Sequence, residues 1–186
     1  MRGCEHARMP TAPLIRHAQP EDAAALAAFA AQAFTDTYRG LDDPQEIADY
    51  VAEHFQPAVV AAVIADAACT AMLVWLGEQL AGYAILRNAP PPSCVTGPAP
   101  LELWRLYLGQ SFIGQGLGAC LMAEVHAQAR GHGARTLWLG VYDRNVRAVE
   151  FYKRFNFAQV GAKEFLFGGR LYVDPIYTAT VNPESP

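Results

Sequence analysis

The sequence predicts a single mixed α/β domain, in which helices flank a mostly antiparallel seven-stranded sheet with one βαβ crossover at its centre. Three observations carry that expectation. The chain has 186 residues, the size of one ordinary domain. Hydrophobic residues make up 52% and charged residues 17%, against roughly 25% charged in an average soluble domain. That excludes a disordered chain and allows a core without disulfides or a structural metal. The apolar period also changes along the chain, from helical in the first third to strand-like in the middle and at the end.

Residues 1–12 read as an N-terminal extension and residues 13–186 as the domain. Met1 to Met9 place no apolar core behind their charges, which is not the pattern of a secretory signal, and Met9 is an alternative start. Pro13 to Ala18 reads as the first strand. Pro20 opens a helix at its first turn, where a missing N–H costs nothing. Glu21 and Asp22 suit the positive end of that helix. Ala23 to Tyr38 carries Leu26, Phe29, Ala33 and Tyr38 near helical spacing, and Gly40 ends it. Asp43-Pro44 starts a second helix, with Ile47, Tyr50, Val51 and Phe55 on one face. Pro57 starts a third that runs to about Ala65.

The run Ala58 to Leu76 has Asp66 as its only charge and approaches the length of a membrane span. An Asp near the centre costs roughly 2.5–3.5 kcal/mol on insertion scales, so the run reads as a helix end feeding a strand. Ala71 to Leu76, Gly77-Glu78-Gln79 and Leu80 to Leu86 then form a hairpin. Ala89 to Pro100 holds five prolines and a glycine and reads as a loop. Leu101 to Leu108 is the next strand. Gly116 to Arg130 is a helix with Leu117, Leu121, Val125 and Ala129 in one stack, closed by Gly131-His132-Gly133. Arg135 to Tyr142 is the buried strand completing the crossover with Leu101 to Leu108. Asn145 to Phe155 is a short helix, and from Phe157 two strands turn about Gly168-Gly169.

Charge and cysteine usage narrow the function. A net charge of -4 argues against a surface that tracks nucleic-acid phosphates. Cys4, Cys69, Cys94 and Cys120 are never closer than 25 residues, and the five histidines are scattered, so no metal site is expected. Free thiols suit a reducing cytoplasm.

The most informative segment is Gly114-Gln115-Gly116-Leu117-Gly118-Ala119, between a strand and a helix. Glycines let a ligand approach the backbone, and the free N–H groups of a helix's first turn favour pyrophosphate. A plain tight turn with close helix packing is the other reading. The string also satisfies the dinucleotide fingerprint, with Asp143 as the ribose acid. About six residues intervene after the strand, Asp143 lies 29 beyond Gly114, and only about 43 residues follow, all of which count against it.

Together with Glu102-Leu-Trp-Arg-Leu-Tyr-Leu108, Leu139-Gly-Val-Tyr-Asp-Arg-Asn145 and Ala148-Val-Glu-Phe-Tyr-Lys-Arg-Phe-Asn-Phe157, this segment resembles the GCN5-related N-acetyltransferases. The likeness runs from about Leu14 to Val181, and is greatest to bacterial polyamine and small-amine acetyltransferases, on Phe34-Thr-Asp-Thr-Tyr38. It implies an acetyl-CoA-dependent transfer to a small amine or polyamine. A protein N-terminal or lysine acetyltransferase and an acyl-CoA-binding module without turnover are the alternatives. No nucleic acid or membrane partner is expected, and a homodimer is open.

The resemblance also implies roles. The strand Leu101 to Leu108 would splay from its neighbour near a bulge, and Leu106 and Leu108, with Tyr107 between them, would pair with the pantetheine arm like an extra strand. Ile113, Gly114, Gln115, Gly116, Leu117, Gly118 and Ala119 would hold the pyrophosphate, Asn145 would bond the cofactor near its sulfur end, and a backbone N–H near Leu106 would hold the oxyanion. Ile113 departs from the family's Gln or Arg, and Lys163 to Tyr177 departs from the branch. An alkyl ammonium has a pKa near 10.4, so a base must take its proton. Glu102 is the candidate, or else it pairs with Arg105 or another cation. Tyr152 is the candidate acid for the departing thiolate, or else a core tyrosine. Phe34, Tyr38, Trp104 and Tyr142, with Tyr107, are acceptor-pocket candidates or core. Arg147, Lys153 and Arg154 read first as a solvated face and second as contacts for the cofactor's outer phosphate.

Overall fold

The computed structural model describes residues 12–167 and 170–182. Four elements precede the first hairpin: β1 (Leu14–His17), α1 (Ala23–Tyr38), α2 (Pro44–His54) and α3 (Pro57–Ala65). Then come β2 (Cys69–Leu76), β3 (Gln79–Arg87), β4 (Pro100–Leu108), α4 (Leu117–Gly131), β5 (Thr136–Gly140), α5 (Val146–Arg154), β6 (Ala158–Phe167) and β7 (Arg170–Thr180). The sheet order is β1-β2-β3-β4-β5-β7-β6, with β4 and β5 parallel and the other neighbours antiparallel.

Local chemistry explains the helix starts. Asp43 accepts a 2.8 Å bond from the Gln45 N–H, and Pro44 fills the first helical position of α2. Asp22 stands at the positive end of α1, as expected, and accepts bonds of 2.6 and 2.8 Å from Arg16 and 2.7 Å from the Gln19 N–H. It ties β1 to α1. α5 is capped by Asn145, whose Oδ1 accepts from the Ala148 N–H at 3.2 Å.

Each face of the sheet carries its own core. One packs Leu121, Met122 and Val125 of α4 against Leu101, Leu103, Leu137 and Leu139. The other packs Leu26, Ala27, Ala30 and Phe34 of α1, with Ile47, Phe55 and Val60, against Leu73, Tyr83 and Ile85. Each such large apolar side chain contributes about 1.5–3 kcal/mol of burial. The Pro-rich loop belongs to the fold, since its Val95 packs on Trp138 and Ile176.

Boundaries shift where backbone bonding decides them. β2 starts two residues early, at Cys69, because it pairs with Arg87. β5 stops at Gly140: the Val141 N–H turns to the Pro175 carbonyl, and a turn from Tyr142 to Asn145 follows. A short 3-10 turn, Gln110–Phe112, was not foreseen. The glycine turn 168–169 and residues 1–11, with Cys4, His6 and Met9, lie outside the described residues. Among the described residues no helix is long and apolar enough to cross a membrane.

Two irregularities shape the centre. β4 and β5 pair only at Pro100–Thr136, Leu101–Leu137 and Glu102–Trp138, and then part. On its other side β4 carries a bulge: Ile85 pairs with Arg105 and Leu86 with Leu103, so Trp104 is extra. Trp104 and Arg105 therefore both turn toward the α1–α3 face, where Trp104 packs in the aromatic core and Arg105 sits over Phe55.

Candidate active site

The parting of β4 and β5 opens a cleft of about 480 Å³. Its walls are Leu103 to Leu108 of β4 on one side and Gly140, Val141 and α5 on the other, with the start of α4 as its floor. Beyond Glu102 the edge of β4 has no β5 partner, so its peptide groups are available to an extended ligand.

The floor is built by the glycines. Gly114 and Gly116 have φ of +84° and +82°, the left-handed region that other residues enter at a cost. A side chain built at either meets nothing within 4 Å, so the space above the loop is open. Gly116 caps α4, and the N–H groups of the first turn point out of the helix. Gly118 serves a different need. A Cβ there would come within 3.0 Å of the Phe151 ring, so glycine lets α4 and α5 approach.

Of the expected cofactor residues, Leu106, Tyr107, Leu108, Ile113, Gly114, Gly116, Gly118, Ala119, Asn145 and Tyr152 line the cleft. Gln115 and Leu117 are not among its lining residues. The Gln115 amide donates to the Ser111 carbonyl at 2.7 Å, and Leu117 is buried beside Val74 and Ala81. Arg147 and Arg154 do line it, whereas Lys153 stays on the solvated side with Glu150 at 2.9 Å. Arg147, Phe151 and Arg154 share one helical face, which their spacing could have shown.

Tyr152 is 8% exposed and lines the cleft, and burial raises its phenol pKa, so it stays protonated. Tyr38 also lines the cleft and is pushed up to about 12 by burial, with the Tyr107 hydrogen bond pulling against that. Trp104 lines it too. Phe34 lies behind this wall, stacked on Tyr50 at 4.5 Å and tilted against Tyr38 at 4.5 Å. Tyr142 is not a lining residue. Its hydroxyl donates to Asp42 at 2.9 Å and accepts from Arg144 at 3.1 Å, and its ring lies 5.9 Å from Tyr38.

Near Tyr38, outside the residues that line the cleft, three carboxylates act on one another. Burial pushes the Asp174 carboxyl up, Asp143 and Asp42 add to the rise, and Lys163 opposes it. Asp174 and Asp42 both act on Tyr38 as well. Glu102 lies elsewhere. It is 3% exposed, is not a lining residue, and its Oε2 accepts from Arg87 Nε and Nη2, each at 2.7 Å. Of the cations the sequence left open to it, Arg105 or another, the partner is Arg87.

Residues 27–157 match the sequence profile described as the acetyltransferase (GNAT) family. An uncharacterized N-acetyltransferase of Mycobacterium tuberculosis is 32% identical over 147 residues, 79% of this chain and 90% of its own. One from the pepI 3' region of Lactobacillus delbrueckii subsp. lactis is 26% identical over 141 residues, 76% of this chain and 82% of its own. Among solved structures, the PaiA N-acetyltransferase of Thermoplasma acidophilum in complex with coenzyme A superposes with a TM-score of 0.73 at 20% identity, covering 91% of this chain and 99% of that one. For yncA of Salmonella typhimurium with its cofactor acetyl-CoA the TM-score is 0.64 at 17% identity, with 94% and 97% covered.

Proposed function

The chain belongs to the acetyltransferase (GNAT) family, and from that premise we propose that it moves an acetyl group from acetyl-CoA to a primary amine of a small molecule, by direct transfer with both substrates bound. The observation that carries this is the parted β4–β5 pair ending over a glycine-capped helix.

The residues fit the cofactor. The open space over Gly114 and Gly116 admits a pyrophosphate onto the first-turn N–H groups of α4. Arg147 and Arg154 bring positive charge to the same cleft, which offsets the missing side-chain contact at Ile113. The free edge of β4 at Leu106 and Leu108 suits an amide-bearing arm as a further strand would be held. When bound, acetyl-CoA supplies an activated thioester. Asn145 orients its sulfur end. A backbone N–H near Leu106 faces the negative charge that develops on the carbonyl oxygen. Tyr152 donates the proton that the departing sulfur needs.

The acceptor must arrive as an ammonium and react as an amine. We assign its proton to Asp174, which acts through water along the Tyr38 wall. Its raised pKa makes it a better base than an ordinary carboxylate. Glu102, committed to Arg87, is not given that role. The acidic group of Asp42, Asp143 and Asp174 favours a cationic amine, polyamines included. The free thiols of Cys69, Cys94 and Cys120 support a cytoplasmic setting.

The test is a thiol-release assay over small amines, polyamines and peptides, beside calorimetric titration with acetyl-CoA. The expected result is binding, with turnover on small amines. Binding without turnover on any of them favours an acyl-CoA-binding module. Absence of binding overturns the whole reading.

A further inference from the structure

Behind Trp104 and Arg105 a second, smaller cavity of about 40 Å³ lies between β3, β4 and helices α1 and α3. Arg105 lines both this cavity and the main cleft, and so does Trp104. The bulge in β4 turns both side chains this way.

Arg105 has an unusual set of partners for a half-buried cation. Its guanidinium carbon lies 4.4 Å from the centroid of the Phe55 ring and 4.6 Å from that of Trp104. Its other neighbours are the phenols of Tyr83, Tyr50 and Tyr107. Among the described residues no carboxylate pairs with it, although Arg16, Arg39 and Arg87 each have one. Buried charges are ordinarily paired, because their desolvation is otherwise uncompensated. Tyr83 shows a matching deficit. It is 1% exposed, it lines the small cavity, and its hydroxyl has no hydrogen-bond partner of good geometry, only the Arg105 guanidinium beside it. A fully buried hydroxyl in that state costs stability that a ligand would recover.

A guanidinium fork and a phenol donor converging on a space this small suit a carboxylate, whose two oxygens accept from both. We propose that Arg105 and Tyr83 receive the carboxylate of the acceptor, so that the substrate is an amine that also bears a carboxylate, of the amino-acid or short-peptide kind. The ammonium end would then remain in the main cleft, which Arg105 also lines. A polyamine has no carboxylate for Arg105 and brings a second cation toward it. The inference rests on the acetyltransferase reading above and narrows its acceptor.

The experiment compares matched amines in the thiol-release assay: L-phenylalanine against phenethylamine, β-alanine against propylamine, with spermidine beside them. The carboxylate-bearing member of a pair is expected to have at least tenfold higher kcat/KM, through a lower KM. In Arg105→Gln the ratio within the pair is expected to fall at least tenfold. Tyr83→Phe removes only the hydroxyl beside Arg105 and keeps the test alive if the arginine variant does not fold. It is expected to lower the ratio about threefold, with a melting temperature no lower than that of the parent. Preference for the plain amine or for spermidine, or ratios unchanged in both variants, would overturn the proposal. Those outcomes leave acetyl-CoA binding intact, whereas loss of binding by the parent protein strikes the acetyltransferase reading itself.

Discussion

Two residues with nearly equal burial, Tyr152 and Glu102, are assigned opposite work, and single substitutions separate them. Tyr152→Phe removes the proton donor while leaving the ring in the core. Turnover is expected to fall at least tenfold with little change in acetyl-CoA affinity, read by steady-state rates and calorimetry. Glu102→Ala strands Arg87, a loss of roughly 3 kcal/mol for a partly exposed ion pair. The melting temperature is expected to drop by about 6–12 °C for a chain of this size, with kcat within about twofold of the parent. A third residue sets the pH dependence. Asp174 must be ionised to accept a proton, and its pKa is raised. Activity should therefore fall as pH drops through a point above the ordinary carboxylate value of about 4, and Asp174→Asn should abolish that limb of the kcat/KM profile. At this scale the sequence was only half readable. Tyr152 and Asn145 could be placed because they follow a recognisable motif on a short helix. For Glu102 an ion pair was one of two readings, but its partner could not be named, because Arg87 lies fifteen residues back on another strand and pairing across strands depends on register.

At the scale of elements, the order of strands and helices was legible almost throughout, because period and caps mark them directly. Pro44 and Pro57 stand at helix starts, and Gly116 stands where α4 begins. The splay and bulge of β4 were legible only through the family resemblance, which did not say that Trp104 is the extra residue. Alternation assigns Trp104 and Arg105 to opposite faces, and one extra residue puts both on the same side. The Arg105–Tyr83 pair was hidden for the same reason. The glycine loop invites a direct test. Gly116→Ala meets no steric obstacle, so its effect is backbone strain of about 1–2 kcal/mol in a left-handed position. The free loop can relax that strain and binding must restore it. The dissociation constant for acetyl-CoA is therefore expected to rise about five- to thirtyfold by calorimetry, with the melting temperature of the free protein changing by only a few degrees.

For the whole molecule, the sheet is two parts joined at its middle by three residue pairs of β4 and β5. A ligand laid between the parted strands would touch both walls and hold the parts together. Acetyl-CoA at about a hundred times its dissociation constant adds about 2.7 kcal/mol, and the melting temperature is expected to rise by about 5–10 °C. Amide exchange at Leu106 and Leu108 should slow in step with it, and an unchanged rate there would place the ligand elsewhere.

The two faces of the sheet divide the work unevenly. The groups assigned to the donor come from a continuous stretch from β4 to α5, while the Arg105 cavity is closed largely by α1, α3 and β3. Donor chemistry can thus stay fixed while inheritance rewrites the helices over the other face. Substitutions along α1 and α3 would reshape the walls around Arg105, and a chimera carrying those helices from a relative should keep its cofactor and change its acceptor preference.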